Sequence, residues 1–333
     1  MKEARFWRTE DGKVVCGLCP HSCRIAPGKR GICGVRENRD GRLFSLIYGK
    51  ASSIHVDPIE KKPFFHFKPG EKVLSLGSVG CTFRCQHCQN YTISQATVGE
   101  FGLEDLSPEE VLATCRRFGC TGISWTYNEP TIWHEFSYET SKLAKSNGLH
   151  TDYVTNGYIQ EAPLRELAEC IDAMNIDIKA FREDFYKKVC KASLNPVLDA
   201  TVLAHELGIH VELTYLIIPG KNDAEAEIRD FSRWVVQDLD PKVPVHFTRF
   251  HPDYLMDDVP TTPMKTLDMA YEIGKAEGLK YPYAGNVPGD ERENTHCLKC
   301  GTLVIRRMGF SVIEMRAKDG KCPTCGEQLD ILM

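Results

Sequence analysis

The part of the sequence that decides the fold runs from residue 73 to residue 90. It reads Val73-Leu74-Ser75-Leu76-Gly77-Ser78-Val79-Gly80-Cys81-Thr82-Phe83-Arg84-Cys85-Gln86-His87-Cys88-Gln89-Asn90. The apolar beginning predicts a buried β-strand, and the loop after it carries three cysteines at C-x3-C-x2-C spacing. Three thiolates can hold three corners of a cubane cluster, whereas a [4Fe–4S] cluster normally takes four cysteines. One iron would then keep an open coordination position, unless the loop belongs to an electron carrier with a fourth ligand elsewhere or to a zinc site.

Around this loop, strand and helix patterns alternate from about residue 71 to residue 285. Further strands are predicted at 122–125, 150–154, 173–178, 211–216 and 243–247, and helices at 132–146, 162–169, 196–206, 223–237 and 263–277. Another helix should begin at Ser107, where an N-cap serine precedes a proline and two acids. Such alternation predicts βαβ units around a parallel sheet, either doubly wound or curled into a full or partial barrel. In a parallel barrel the functional side chains lie in the loops that follow the strands.

The three-cysteine loop resembles that of radical S-adenosylmethionine (SAM) enzymes. The resemblance implies an α/β fold built as a partial (βα)6 barrel, with a [4Fe–4S] cluster on Cys81, Cys85 and Cys88. It further implies that the SAM amino and carboxylate groups chelate the open iron. One-electron reduction would then give methionine and a 5′-deoxyadenosyl radical, which abstracts hydrogen from a substrate. The protein would position the cofactor and exclude water and oxygen.

The same resemblance implies SAM contacts near the cluster loop. His87 stands before the last cysteine, where the family places a residue near adenine. Thr126-Tyr127-Asn128-Glu129-Pro130 ends the second predicted strand, where the family's Gly-Gly-Glu motif binds the SAM ammonium. Tyr127, Asn128 and Glu129 are therefore candidate contacts.

Three later strand ends supply the remaining candidates. Asn156 belongs to a Thr-Asn-Gly triplet like that of glycyl-radical-enzyme activases, although Val154 replaces the acid that precedes their triplet. Asp177 and Lys179 are two apart and face one side of a strand, where Lys179 could pair with the SAM carboxylate or form only a surface salt pair. His251 follows a phenylalanine, as does an activase histidine that approaches SAM, although a lone histidine is often structural.

Four stretches narrow the resemblance to the radical SAM protein of the AmmeMemoRadiSam system, which is related to pyruvate formate-lyase activating enzymes. They are Pro58-Ile59-Glu60-Lys61-Lys62-Pro63-Phe64-Phe65-His66-Phe67, Cys88-Gln89-Asn90, Thr126-Tyr127-Asn128-Glu129-Pro130-Thr131 and Gly285-Asn286-Val287-Pro288-Gly289. The resemblance covers essentially the whole chain. It implies an activase-like oxidoreductase with an electron donor such as ferredoxin or flavodoxin. The substrate, a small molecule or a glycyl residue of a partner protein, is not fixed by kinship.

Eight further cysteines form two groups of four: Cys16, Cys19, Cys23 and Cys33, and Cys297, Cys300, Cys322 and Cys325. The second group consists of two C-x2-C pairs, the pattern of a zinc ribbon, with rubredoxin-type iron or bare thiols as alternatives. The first group could hold zinc or an auxiliary [4Fe–4S] cluster. The remaining four cysteines of the 15 are predicted to be buried apolar side chains: Cys115, Cys120, Cys170 and Cys190.

The cysteine groups suggest three modules: residues 1–50, the barrel over 51–289 and a C-terminal ribbon over 290–333. The N-terminus lacks the apolar stretch of a signal peptide, and no run approaches the roughly 20 apolar residues that span a bilayer, so we expect a cytoplasmic protein without a membrane partner. A net charge of −5 disfavours RNA binding, except for a specific RNA substrate. An iron–sulfur electron carrier and a zinc-ribbon module that binds RNA or protein are the alternative functions.

Overall fold

The computed structural model describes residues 1–333. Its N-terminal part consists of short antiparallel strands in two three-stranded sheets, ordered β2-β3-β4 and β1-β6-β5. A seventh strand, β7, pairs instead with β10 in the loop after the cysteines. The bounds are β1 Lys2–Glu3, β2 Trp7–Glu10, β3 Lys13–Cys16, β4 Arg24–Ile25, β5 Arg36–Arg39, β6 Arg42–Ser45, β7 Lys50–Ala51 and β10 Glu104–Asp105.

One sheet of eight strands forms the centre of the molecule, ordered β16-β15-β14-β13-β12-β11-β9-β8. Seven of these strands are parallel, and β8 pairs antiparallel with β9 at one edge. The bounds are β8 Ser53–Pro58, β9 Lys72–Gly77, β11 Gly122–Trp125, β12 His150–Thr155, β13 Ala173–Asp177, β14 His210–Ile217, β15 Val245–Arg249 and β16 Pro282–Gly285. The two end strands of this order do not pair, so the barrel is partial.

Six helices connect the seven parallel strands: α2 Pro108–Arg117, α3 His134–Ser146, α4 Glu161–Leu167, α6 Asn195–Glu206, α7 Glu225–Trp234 and α8 Met264–Glu277. Two short helices, α1 Tyr91–Ser94 and α5 Glu183–Phe185, lie in loops. Helix α2 begins as predicted, because the Ser107 hydroxyl accepts from the Glu110 amide while the Glu110 carboxylate accepts from the Ser107 amide. The α/β fold and its six βα units are confirmed, and β8 and β16 are additions that the sequence did not predict.

The seven parallel strands of the central sheet are largely buried on both faces, as expected of a parallel sheet covered by helices, whereas the edge strand β8 is partly exposed. Strand β11 has no exposed residue, and the large side chains Trp125, Tyr153 and Phe247 belong to one continuous core. This core fixes the positions of the strand ends, and therefore of the loops that follow them. None of the helices is long and apolar enough to cross a membrane.

The C-terminal part is an antiparallel sheet of three strands, β17 Thr295–His296, β18 Leu303–Met308 and β19 Ser311–Met315. It is fixed to the barrel by Arg307 of β18. The structure buries Arg307, whose guanidinium donates to the Phe65 carbonyl at 2.7 Å and to Thr295 Oγ1 at 2.7 Å. The end of the chain adds backbone hydrogen bonds from Leu332 to His66 and from Lys68 to Leu332.

Candidate active site

A cavity of about 490 Å³ opens where the parallel strands end. This volume is within the range of about 300–1,000 Å³ that small-molecule sites occupy. Cys81, Cys85 and Cys88 all line the cavity. Seven of the eight candidate SAM residues line it as well: His87, Tyr127, Asn128, Glu129, Asn156, Asp177 and Lys179. The topology thus brings together side chains that are about 100 residues apart in sequence.

The three cysteine thiols are free and at least half buried. Burial raises the pKa of Cys81 and of Cys88, so each thiol becomes a thiolate readily only when a cation binds it. Their three sulfurs do not lie mutually within 4.8 Å of one another, so they do not form a compact group of the kind that holds a single ion. The donor set therefore fits a [4Fe–4S] cluster with one iron left without a cysteine.

The backbone before the first cysteine is held in a close approach that requires glycine. Gly80 has φ +88°, and a Cβ on it would lie 2.5 Å from the Cys33 carbonyl oxygen. Asn128 fixes the same loop from the neighbouring strand end, because its Oδ1 accepts from the Ser78 amide at 3.0 Å and its Nδ2 donates to the Gly80 carbonyl at 2.9 Å. Asn128 thus orients the cluster loop while it lines the cavity.

Glu129 and Asn156 join two strand ends to the cysteine loop. The buried Glu129 carboxylate accepts from Thr155 Oγ1 at 2.7 Å and from the Asn156 amide at 2.8 Å. Asn156 in turn donates from Nδ2 to Thr82 Oγ1 at 2.9 Å, and the same nitrogen lies 3.8 Å from Cys81 Sγ. Burial raises the pKa of Glu129. This network holds a cluster ligand and an acidic group in a fixed relation.

After β13, the strand next to β12, Lys179 pairs with Asp177 through a 2.8 Å contact between Nζ and Oδ2. Burial opposes the charge of Lys179, but the Asp177 carboxylate raises the pKa of the lysine above its ordinary value. Because both side chains line the cavity, this is not a salt pair on the outer surface. Burial, followed by the nearby Lys179 charge, lowers the pKa of His87 to about 3, and its Nδ1 has no hydrogen-bond partner. A neutral imidazole with an unpaired nitrogen therefore faces this part of the site.

Tyr127 and His251 differ in how they relate to the cavity. Tyr127 has φ +73° and donates its hydroxyl hydrogen to Asp57 Oδ2 at 2.7 Å, so its ring forms part of the wall. His251 is exposed and lies outside the cavity lining, with Nδ1 2.9 Å from the Pro252 carbonyl oxygen. The structure does not bring His251 together with the other candidates, and its contact with SAM stays a prediction.

Sequence reasoning assigned no role to the inner wall of the cavity, which Glu60, Lys62 and His246 form. Lys62 Nζ contacts Asp57 Oδ2 at 2.8 Å, and His246 Nε2 contacts Glu212 Oε2 at 2.7 Å. Burial raises the pKa of Glu60 to about 7. Glu60 Oε2 and His246 Nδ1 have no hydrogen-bond partner. The sequence feature that could have predicted this wall was the stretch from Pro58 to Phe67, one of the four that carried the subfamily resemblance, which supplies Glu60 and Lys62.

The C-terminal cysteines form a compact group. Cys297 Sγ lies 3.7 Å from Cys325 Sγ, Cys300 Sγ lies 3.6 Å from Cys322 Sγ, and all four sulfurs are within 4.8 Å of one another. A tetrahedral ion with metal–sulfur bonds of about 2.3 Å places its sulfurs roughly 3.8 Å apart. The group could therefore bind one metal ion. The four scattered cysteines are buried, as predicted for structural side chains: Cys115, Cys120, Cys170 and Cys190.

Comparison with known proteins agrees with this geometry. The family model described as the radical SAM superfamily matches residues 76–232. An uncharacterized protein of Methanocaldococcus jannaschii is 49% identical over 336 residues, which cover 100% of both chains. The chain belongs to the radical SAM superfamily.

Other proteins match part of the chain. The pyruvate formate-lyase-activating enzyme of Clostridium pasteurianum is 28% identical over 156 residues, 45% of this chain and 63% of the relative. The pyruvate formate-lyase 1-activating enzyme of Escherichia coli is 27% identical over 150 residues, which cover 43% of this chain and 60% of the relative. Streptococcus suis SuiB, in a crystal structure bound to S-adenosylmethionine, is 12% identical with a TM-score of 0.51, covering 68% of this chain and 53% of SuiB. This last likeness shows the shared fold.

Proposed function

We propose that this radical SAM enzyme reductively cleaves SAM and uses the product radical to abstract hydrogen from a substrate in the same cavity. The observation that carries the proposal is the convergence of Cys81, Cys85 and Cys88 with seven candidate SAM residues around one cavity. When bound, the cluster and SAM supply one-electron cleavage of the sulfonium to methionine and a 5′-deoxyadenosyl radical.

The protein's own side chains bind and orient the cofactor. Lys179 would offer its ammonium group to the SAM carboxylate, and the buried carboxyl group of Glu129 would bind the SAM ammonium. His87, neutral at physiological pH, offers an uncharged ring and a free nitrogen to adenine. Asn156 fixes the position of Cys81 relative to these groups, because it contacts both Thr82 and the Cys81 sulfur. The apolar side chains Phe83 and Leu216 complete the lining and reduce access of water.

The polar side chains of the inner wall favour a small polar substrate. Glu60 Oε2 and His246 Nδ1 are buried atoms without partners, and unpaired buried polar atoms are costly unless a ligand or water satisfies them. Lys62 adds a buried ammonium group at the same end. A substrate that carries several hydrogen-bonding groups would match this wall.

A second candidate substrate is a glycyl residue of a partner protein. The similarity to two pyruvate formate-lyase activating enzymes favours it. The resemblance to the radical SAM protein of the AmmeMemoRadiSam system belongs to the same proposal, as does a ferredoxin or flavodoxin as electron donor. Zinc is our proposal for the C-terminal cysteines, because their close spacing suits a tetrahedral ion.

The test is an anaerobic incubation of the iron-loaded protein with SAM and dithionite. We expect release of 5′-deoxyadenosine and methionine by the wild type. Cys85→Ala should abolish release, whereas Cys170→Ala, which removes a buried cysteine distant from the cavity lining, should retain it. An intact central cluster that yields neither product would contradict the proposal and favour electron transfer alone.

A further inference from the structure

The four N-terminal cysteines surround a second, smaller cavity. Cys16 is buried, and the other three, Cys19, Cys23 and Cys33, are half buried. The remaining walls are mostly apolar and include Leu18, Ile25 and Ile132. Four thiols that converge on an enclosed apolar space are poorly explained by packing alone, because each could be replaced there by an ordinary apolar side chain.

The spacing of the cysteine sulfurs bears on whether a group binds one metal ion or a cluster. The C-terminal sulfurs lie 3.6 and 3.7 Å apart in pairs, as a single tetrahedral ion requires. The N-terminal sulfurs form no such close group of three, and neither do those of the central cysteine loop. The N-terminal set therefore lacks the compact arrangement of the C-terminal group, as does the central cysteine loop.

Arg36 supplies an independent sign of a bound acceptor. Its side chain is 1% exposed and lines the second cavity, yet its Nε has no hydrogen-bond partner. Its other two nitrogens are used: Nη1 donates to Glu135 Oε2 at 3.5 Å, and Nη2 donates to Glu135 Oε1 at 2.6 Å and to the Arg5 carbonyl at 3.1 Å. A buried guanidinium N–H without an acceptor is costly, and the sulfur of an anionic cluster would satisfy it. The Ile32 amide also donates to Cys23 Sγ at 3.5 Å.

The second cavity adjoins the central cysteine loop directly. Thr82 lines it, whereas the flanking Cys81 and Phe83 line the main cavity. His21 Nε2 lies 2.8 Å from the Thr82 carbonyl oxygen, and the Cys33 carbonyl packs against Gly80. Consecutive residues of the cysteine loop therefore line the two sites.

We propose that Cys16, Cys19, Cys23 and Cys33 bind a second [4Fe–4S] cluster that delivers single electrons to the central cluster. An external one-electron donor, dithionite in the test tube, is oxidised as the N-terminal cluster is reduced by one electron. That electron then passes to the central cluster, and the N-terminal cluster returns to its oxidised state. No bond is made or broken and no proton is consumed in this transfer.

The test compares metal content after anaerobic reconstitution of the full chain with iron and sulfide. Wild type and Cys170→Ala should hold about eight irons, and a triple Cys81→Ala, Cys85→Ala, Cys88→Ala variant about four. Cys19→Ala with Cys23→Ala should also hold about four, and all five substitutions together almost none. In the triple variant, the EPR signal after reduction should not change when SAM is added.

Two results would overturn the inference. One is a triple cysteine variant that is folded but contains no iron. The other is a Cys19, Cys23 variant that keeps all the iron of the wild type and loses one zinc. If the latter variant does not fold, the triple variant decides alone, because its N-terminal cysteines are untouched. Failure here leaves SAM cleavage by the wild type unaffected, so the two proposals are separable.

Discussion

Glu60 gives the sharpest prediction about stability, because its carboxyl group changes protonation near neutral pH. Burial raises its pKa from the ordinary 4.5 to about 7, and Arg307, whose Nε is 3.7 Å away, only partly offsets this. A carboxyl group with a raised pKa in the folded state favours folding while it is protonated. Its contribution is complete below about pH 4.5 and is lost as the pH rises through about 7. The difference between these pKa values corresponds to about 3 kcal/mol.

Glu60→Gln keeps the shape of the side chain and removes this titration. Urea unfolding of the anaerobic, metal-loaded protein, followed by tryptophan fluorescence at pH 5 and pH 8, measures the effect. Between these pH values the free energy of unfolding of wild type should fall by about 2–3 kcal/mol more than that of the variant. Other titrating groups, such as the buried Asp152 with its pKa raised by burial to about 6, are common to both proteins and cancel.

Glu109→Gln, at an exposed helix position, is the matched control and should follow wild type. If wild type and Glu60→Gln lose the same stability between pH 5 and pH 8, the raised pKa is wrong. The inner wall of the cavity would then carry an ordinary carboxylate, and the argument that it presents an unpaired protonatable group to a substrate would be lost.

Three further predictions concern the cluster loop, SAM binding and the C-terminal metal. Gly80→Ala should lose the central iron, because its Cβ would lie 2.5 Å from a carbonyl oxygen. The control Gly12→Ala, whose Cβ would have no atom within 4 Å, should keep the iron. Equal iron contents in the two variants would contradict the close approach at Gly80. Lys179→Met should weaken SAM binding at least about tenfold in equilibrium dialysis, with Lys187→Met unchanged as an exposed control, since a buried charged contact contributes about 1.5–3 kcal/mol. Cys297→Ala should lose one metal ion and lower the melting temperature while central-cluster EPR is retained, and a variant with full zinc would refute the compact site.

The parts of the fold that the sequence predicted are those with strong local patterns. The apolar run before the cysteine loop and the cap at Ser107 are encoded within a few residues, and both were found as expected. Strand β16 was missed because it has only four residues and begins with a proline. Strand β8 was missed because it is an edge strand whose pairing depends on β9, and its burial does not follow its polarity: Val56 is exposed whereas Asp57 is buried.

In the candidate site too, some residues could be predicted from local sequence and others depend on contacts between distant parts of the chain. Glu129, Asn156 and Lys179 could be predicted because parallel strands end at one edge of a sheet, so residues after strands converge. The burial of Arg307 could not, because its acceptor, the Phe65 carbonyl, is 242 residues away in sequence. The role of His246 could not be predicted for a similar reason, since only the assembled barrel shows that its ring lines the cavity and pairs with Glu212.

The most direct measurement of the central claim is the low-temperature EPR spectrum of the reduced central cluster before and after addition of SAM. The Cys19→Ala, Cys23→Ala protein is suitable, because any N-terminal cluster signal is removed. We predict that SAM changes the g-values of the reduced cluster, since its amino and carboxylate groups would bind the iron that lacks a cysteine. A spectrum that stays the same at saturating SAM would contradict an open iron in this cavity.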